Sequence, residues 1–155
     1  MVDYNTIINR LGLQPLEVEG GCFKRVITLK NNHEEEIGSC IYYLVTPKSY
    51  SSLHKVLKDE IWYFLEGDPL LQIQYNEETE EFSSVIIDKA SNGGTPMHLV
   101  EKNVWQSTIL KDGGNWALVA TTVIPGFSYE DFVHYNDDIV NTISDFCDIE
   151  KFIYN

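Results

Sequence analysis

Apolar residues recur along this chain in short bursts, each closed by turn-forming residues, and the spacing within the bursts changes from helical to extended and back. Asp3 stands ahead of a segment in which Ile7, Ile8 and Leu11 share one side and Gly12 follows, so a short N-terminal helix is predicted there. The runs Cys22 to Leu29, Ser39 to Thr46, Glu60 to Leu65, Leu70 to Tyr75, Phe82 to Ile87 and Trp116 to Ile124 are rich in Val, Ile, Thr and aromatics. The stretches KNNHEEE, TPKS, EGDP, NEETE, SNGGTP, KDGGN and IPG separate them. Short strands at such intervals predict an all-β sandwich or barrel. At the end, Ile139, Ile143, Phe146 and Ile149 fall three or four apart, which predicts a helical tail.

Parity within strands adds direction. In EIWYFL, Glu60, Trp62 and Phe64 share one face while Ile61, Tyr63 and Leu65 share the other, and the strand is expected to be covered on both sides. In QIQY, Gln72 and Gln74 oppose Leu71, Ile73 and Tyr75, as expected of a strand with one wetter face. No repeat or linker interrupts the chain. One domain over 1–155 is expected, with a barrel core over about 15–133 and a helical tail over about 136–154.

Charge narrows the function classes. Twenty-four acids against eleven Lys and Arg give a formal charge of −13, which repels phosphate backbones and anionic membrane surfaces. Neither nucleic acid nor membrane is an expected partner. MVDYNTIINRL has no basic segment leading into an apolar run, so a soluble cytoplasmic protein is expected. Cys22, Cys40 and Cys147 are odd in number and widely spaced, and are read as reduced thiols.

The stretch SSLHKVLKDEIWYFLEGDPL carries the candidate chemistry. His54, Glu60 and Gly67 stand at the intervals of the first cupin motif, with Lys48 at its opening glycine and Val56 at its second histidine. The second cupin motif falls on residues 101–106, where Gln106 occupies the histidine position. EGG at 19–21, SCIYYLVTP at 39–47, VWQSTIL at 104–110, GGNWALVATTVIPGF at 113–127 and YEDF at 129–132 follow in order with this stretch. Together they resemble an uncharacterised family of single-domain cupins similar to the sugar-nucleotide epimerases. Relative to that family, Tyr63 replaces a histidine, Lys55 an arginine, and Glu101 and Asn103 a proline and a glycine. The resemblance implies a double-stranded jelly-roll barrel with a ligand pocket, and a homodimer; it implies no particular reaction.

Cupin metals are usually held by three histidines and a glutamate, since imidazole and carboxylate suit divalent first-row ions. Here only His54 and Glu60 remain; Val56 offers no lone pair and Gln106 only a neutral amide oxygen. No metal or other cofactor is therefore expected. An organic ligand is the better fit, bounded by Trp62, Phe64 and Trp105 and oriented by His54, Glu60 and Gln106. His54 and Glu60 are the candidate catalytic pair, exchanging protons in an isomerase or epimerase acting on a sugar-like or keto compound. The alternative is a non-catalytic binding or sensing protein using the same groups, with a metal-dependent enzyme third. The plainer reading of His54 is a strand-to-strand hydrogen bond, and that of the three aromatics is core packing. Tyr129, Glu130 and Asp131 are read as directing the chain out of the last barrel strand or bordering the opening.

Overall fold

A computed structural model describes residues 2–154. In chain order its strands are β1 (Gln14–Pro15), β2 (Cys22–Lys30), β3 (Glu36–Val45), β4 (Ser51–Val56), β5 (Asp59–Gly67) and β6 (Leu70–Asn76). They continue with β7 (Glu81–Ile87), β8 (Met97–Val100), β9 (Trp105–Leu110), β10 (Ala117–Ile124) and β11 (Phe132–His134). Two antiparallel sheets result, one ordered β1-β2-β3-β10-β5-β8 and the other β11-β4-β9-β6-β7. They face each other as a jelly-roll barrel, because each strand presents alternate residues to a shared interior.

Three apolar clusters hold the layers. Tyr43, Val45, Trp62, Leu70, Ile87, Val100 and Val119 fill the space between the sheets. Helix α1 (Tyr4–Leu11) closes the outer face of the first sheet: Ile7 and Leu13 pack on Leu44, Trp116 and Leu118. Its ends are set by Asp3, whose carboxylate accepts from the Asn5 amide at 3.3 Å, and by Gly12 at φ 66°. Helix α2 (Asp137–Ser144), capped by Asn136, buries Ile139 and Ile143. With Ile149 and Phe152 these cover Leu53, Ile73, Tyr75 and Trp105 on the outside of the second sheet. Each fully buried aliphatic or aromatic side chain contributes roughly 1.5–3 kcal/mol by leaving water.

Two parity expectations change. The wet face of QIQY turns inward: Gln72 is fully buried and donates to the Thr108 hydroxyl at 2.9 Å, while Ile73 and Tyr75 lie under the C-terminal tail. A polar barrel interior combined with an apolar outer cover inverts the usual arrangement. The face of EIWYFL bearing Ile61, Tyr63 and Leu65 is only partly covered, with Leu65 exposed. Strands β4, β8 and β9 are not separate runs in the apolar pattern. The interior faces of β4 and β9 carry Ser52, His54, Gln106 and Thr108, which mask the alternation. Among the described residues no helix is long and apolar enough to cross a membrane.

Candidate functional site

Inward positions two apart on three neighbouring strands form one wall of a cavity. The pairing puts Thr121 of β10 between Ile41 of β3 and Trp62 of β5, and Val123 between Ser39 and Glu60. Phe23, Arg25 and Tyr43 extend this wall, Val56 reaches in from the second sheet, and Phe127, Ser128 and Tyr129 rim the mouth. The enclosed space is about 280 Å³. That is the lower end of the range for small-molecule sites.

The EGG segment delivers a group that parity alone does not reveal. Gly20 and Gly21 have φ of 101° and 73°, a region in which side chains other than glycine are strained. A Cβ at Gly20 would also collide with the Tyr154 hydroxyl, and one at Gly21 with Tyr43. The Tyr43 hydroxyl donates to the Gly20 carbonyl at 2.6 Å, and the Ser52 amide donates to the Glu19 carbonyl at 3.1 Å. So anchored, the segment points the Glu19 carboxylate into the barrel, where it lines the cavity.

His54 stands behind that carboxylate. Its side chain is fully buried and its ring stacks on Phe132 at 5.0 Å between centroids. Nδ1 lies 2.7 Å from the Ser52 carbonyl, which can only accept, so Nδ1 carries a hydrogen. Nε2 is left facing Glu19 Oε1 at 2.8 Å, an ion-pair contact without full hydrogen-bond alignment. Burial opposes charge on the imidazole, but the charge of Glu19 and its hydrogen bonding outweigh it, aided by the Ser52 carbonyl and Glu60. The net effect lifts the His54 pKa above the usual histidine value.

Glu60 faces the cavity directly and is 8 % exposed. Its Oε1 accepts from Trp62 Nε1 at 3.1 Å. Burial, and next the negative charge of Glu19, push its pKa up to about 7; His54, Gln106 and Trp62 pull the other way without prevailing. Gln106, directly opposite His54 across the strands and 1 % exposed, favours the ionised carboxylate although neither amide atom makes a well-formed hydrogen bond.

The structure thus brings His54, Glu60, Trp62 and Gln106 to one region of the barrel interior. Phe64 packs against the inner core cluster and does not wall the cavity. Trp105 points the other way: it is opposite Lys55, whose ammonium sits 4.8 Å from its ring centroid, and it packs under the C-terminal tail. Adjacent strand residues face opposite sides, so Gln106 and Trp105 do not share a face. Tyr129 does border the opening, whereas Asp131 is paired with Lys58 at 2.8 Å. Glu19, Tyr43 and Thr121 are functional candidates that sequence reasoning passes over; the only local signal was the glycine pair after Glu19.

Comparison with known families matches residues 5–135 to the family described as Cupin superfamily (DUF985). The chain belongs to the cupin superfamily. Among solved structures, this cupin is similar to a hypothetical protein from Leishmania major at 24% identity and TM-score 0.83, covering 99% of this chain and 100% of that one. It is also similar to a protein from Shewanella oneidensis, at 24% identity, TM-score 0.85 and 99% coverage of each. An oxalate decarboxylase variant from Bacillus subtilis shares the fold at 15% identity and TM-score 0.59, over 83% of this chain and 33% of that one. No curated protein matches the chain.

Cupins often carry a divalent metal, and the donor set here does not fit one. The Nε2 of His54 is turned to Glu19 at 2.8 Å, while Val56, which has no lone pair, and Gln106, a neutral amide, fill the other motif positions. Among the described residues no group of three or more His, Cys, Asp or Glu side chains is arranged to hold an ion.

Proposed function

We propose that this cupin binds a small organic molecule in the barrel cavity and transfers a proton on it, the elementary step of an isomerisation or epimerisation. One observation carries the reading: two carboxylates, Glu19 and Glu60, face the same enclosed space in different electrostatic settings. Glu19 is paired with His54, whereas burial pushes Glu60 to a pKa of about 7. Near neutral pH Glu60 exists in both protonation states and can give or take a proton. Glu19 is the complementary base, with His54 holding it in place and accepting part of the charge change. His54 is then a positioning residue, because Glu19 stands between it and the cavity.

The substrate is a sugar-like or keto compound with an acidic C–H. Wild-type protein incubated in heavy water with a metabolite extract should introduce one deuterium into at least one compound, read by mass spectrometry. Glu60→Gln should abolish that exchange. Full exchange by the variant would sink the reading. The complete burial of His54 favours a second reading, a binding protein without turnover; it predicts that the wild type retains a compound from the extract and exchanges none.

The working form is proposed to be a homodimer. Leu29 and Ile124 converge over Gly38 and are exposed on the outside of the first sheet, a patch suited to a second copy. Light scattering of wild type and Leu29→Asp tests it: a dimer that the substitution dissociates is expected, and a monomeric wild type overturns the proposal.

A further inference from the structure

The chemistry of the cavity wall singles out one class of ligand. The rings of Phe23, Tyr43, Trp62, Phe127 and Tyr129 supply its apolar surface, and the carboxylates of Glu19 and Glu60 supply negative charge. Arg25 is the lone basic side chain on the wall among the described residues. Its guanidinium is committed elsewhere, 2.7 Å from Glu36 Oε1 and 2.8 Å from the Phe127 carbonyl. His54 lies behind Glu19 and offers no donor to the cavity. An anionic ligand would therefore meet like charge without an available counter-ion, which is costly in an enclosed site. A cation would meet carboxylates and π faces, both attractive.

A second observation marks where a polar group belongs. The Thr121 side chain lines the cavity at 2 % exposure, and its hydroxyl has no hydrogen-bond partner. Buried hydroxyls without partners are uncommon in folded proteins, and a ligand that contacts Thr121 would satisfy this one. Thr121 is the cross-strand neighbour of Trp62, whose indole N–H donates to Glu60, so the hydroxyl and the carboxylate serve the same end of a ligand.

We infer that the cavity takes a small organic cation, a protonated amine on a compact apolar or aromatic body, with its ammonium between Glu60 and Thr121 and its body among the rings. The inference rests on the reading of this cavity as a ligand site and narrows the substrate class, within the sugar-like or keto compounds, to amine-bearing keto compounds. Negative charge over the whole chain would steer such ligands toward the opening.

Benzylammonium, benzyl alcohol and benzoate form a matched probe set. Binding to full-length protein is followed by tryptophan fluorescence, since Trp62 lies in the wall, and confirmed by calorimetry. Benzylammonium should bind at least about tenfold tighter than benzyl alcohol, as for one favourable charge interaction of about 1.4 kcal/mol, and benzoate should be weakest. Glu60→Gln should bring the amine and the alcohol to similar affinity. On wild type, amine affinity should rise about tenfold from pH 6 to pH 8 as Glu60 ionises. The groups facing Glu60 are Glu19, His54, Gln106 and Trp62. This pH measurement needs no variant to fold. Alcohol or benzoate binding as tightly as the amine overturns the cation assignment while leaving a ligand site. No response to any probe overturns the assignment, and leaves deuterium exchange to decide the acid–base reading separately.

Discussion

His54 Nε2 and Glu19 Oε1 stand 2.8 Å apart inside the barrel, although thirty-five positions separate them in the chain. The contact makes a motif histidine the partner of a carboxylate. Burial does most to hold the Glu60 carboxyl protonated, and the pair adds opposing effects, Glu19 away from ionisation and His54 toward it.

Stability should fall as pH rises through neutrality. Glu60 binds its proton more tightly folded, with a pKa of about 7 against an ordinary 4.5, so the folded state is favoured below 4.5 and loses that advantage by pH 7. The loss is about 3 kcal/mol at the standard conversion. His54 is also raised, so its contribution is full below the ordinary histidine pKa and lost as pH passes its folded value. Urea unfolding at pH 5 and pH 8 should show the decline, and Glu60→Gln should remove much of it. A flat profile in the wild type would contradict the coupling.

Thr121→Val should leave the unliganded protein as stable as wild type or slightly more so. The hydroxyl it removes is buried without a partner, so no hydrogen bond is lost. Benzylammonium affinity should nevertheless drop severalfold. Thermal unfolding and fluorescence titration on the same sample separate the two effects.

Trp105→Ala should cost about 3–5 kcal/mol through loss of packing under the C-terminal tail. Ligand affinity of the folded fraction should be unchanged, since Trp105 does not border the cavity. A large change in affinity with little loss of stability would reverse this assignment.

Gly21→Ala should destabilise by about 1–3 kcal/mol, because the position has φ 73° and the new methyl meets Tyr43. The displaced segment should loosen Glu19 from His54, so the histidine pKa, followed by ring-proton NMR, should fall. An unchanged titration would separate the glycine pair from the site.

Metal analysis tests the donor-set argument. Wild type should carry less than stoichiometric Mn, Fe, Ni or Zn, and Val56→His combined with Gln106→His should gain divalent-ion affinity in calorimetry. Stoichiometric metal in the wild type, lost in His54→Ala, would require the site to be redrawn.

The sequence by itself determined a β-rich fold with helical ends and the sharing of one strand face by Glu60 and Trp62, and its resemblance to cupins supplied the barrel and the pairing of His54 with Glu60. Alternation along a strand and caps at helix ends are local, and local patterns survive without coordinates. Tertiary structure decided the rest. Glu19 and Thr121 enter the cavity wall from other parts of the chain, and Trp105 leaves it for a second core that exists only once the tail has docked. It also decided which polar face points inward: Gln72 of β6 is buried because the opposite face finds a helical cover. Which surface becomes interior depends on what packs against it, and periodicity carries no information about that partner.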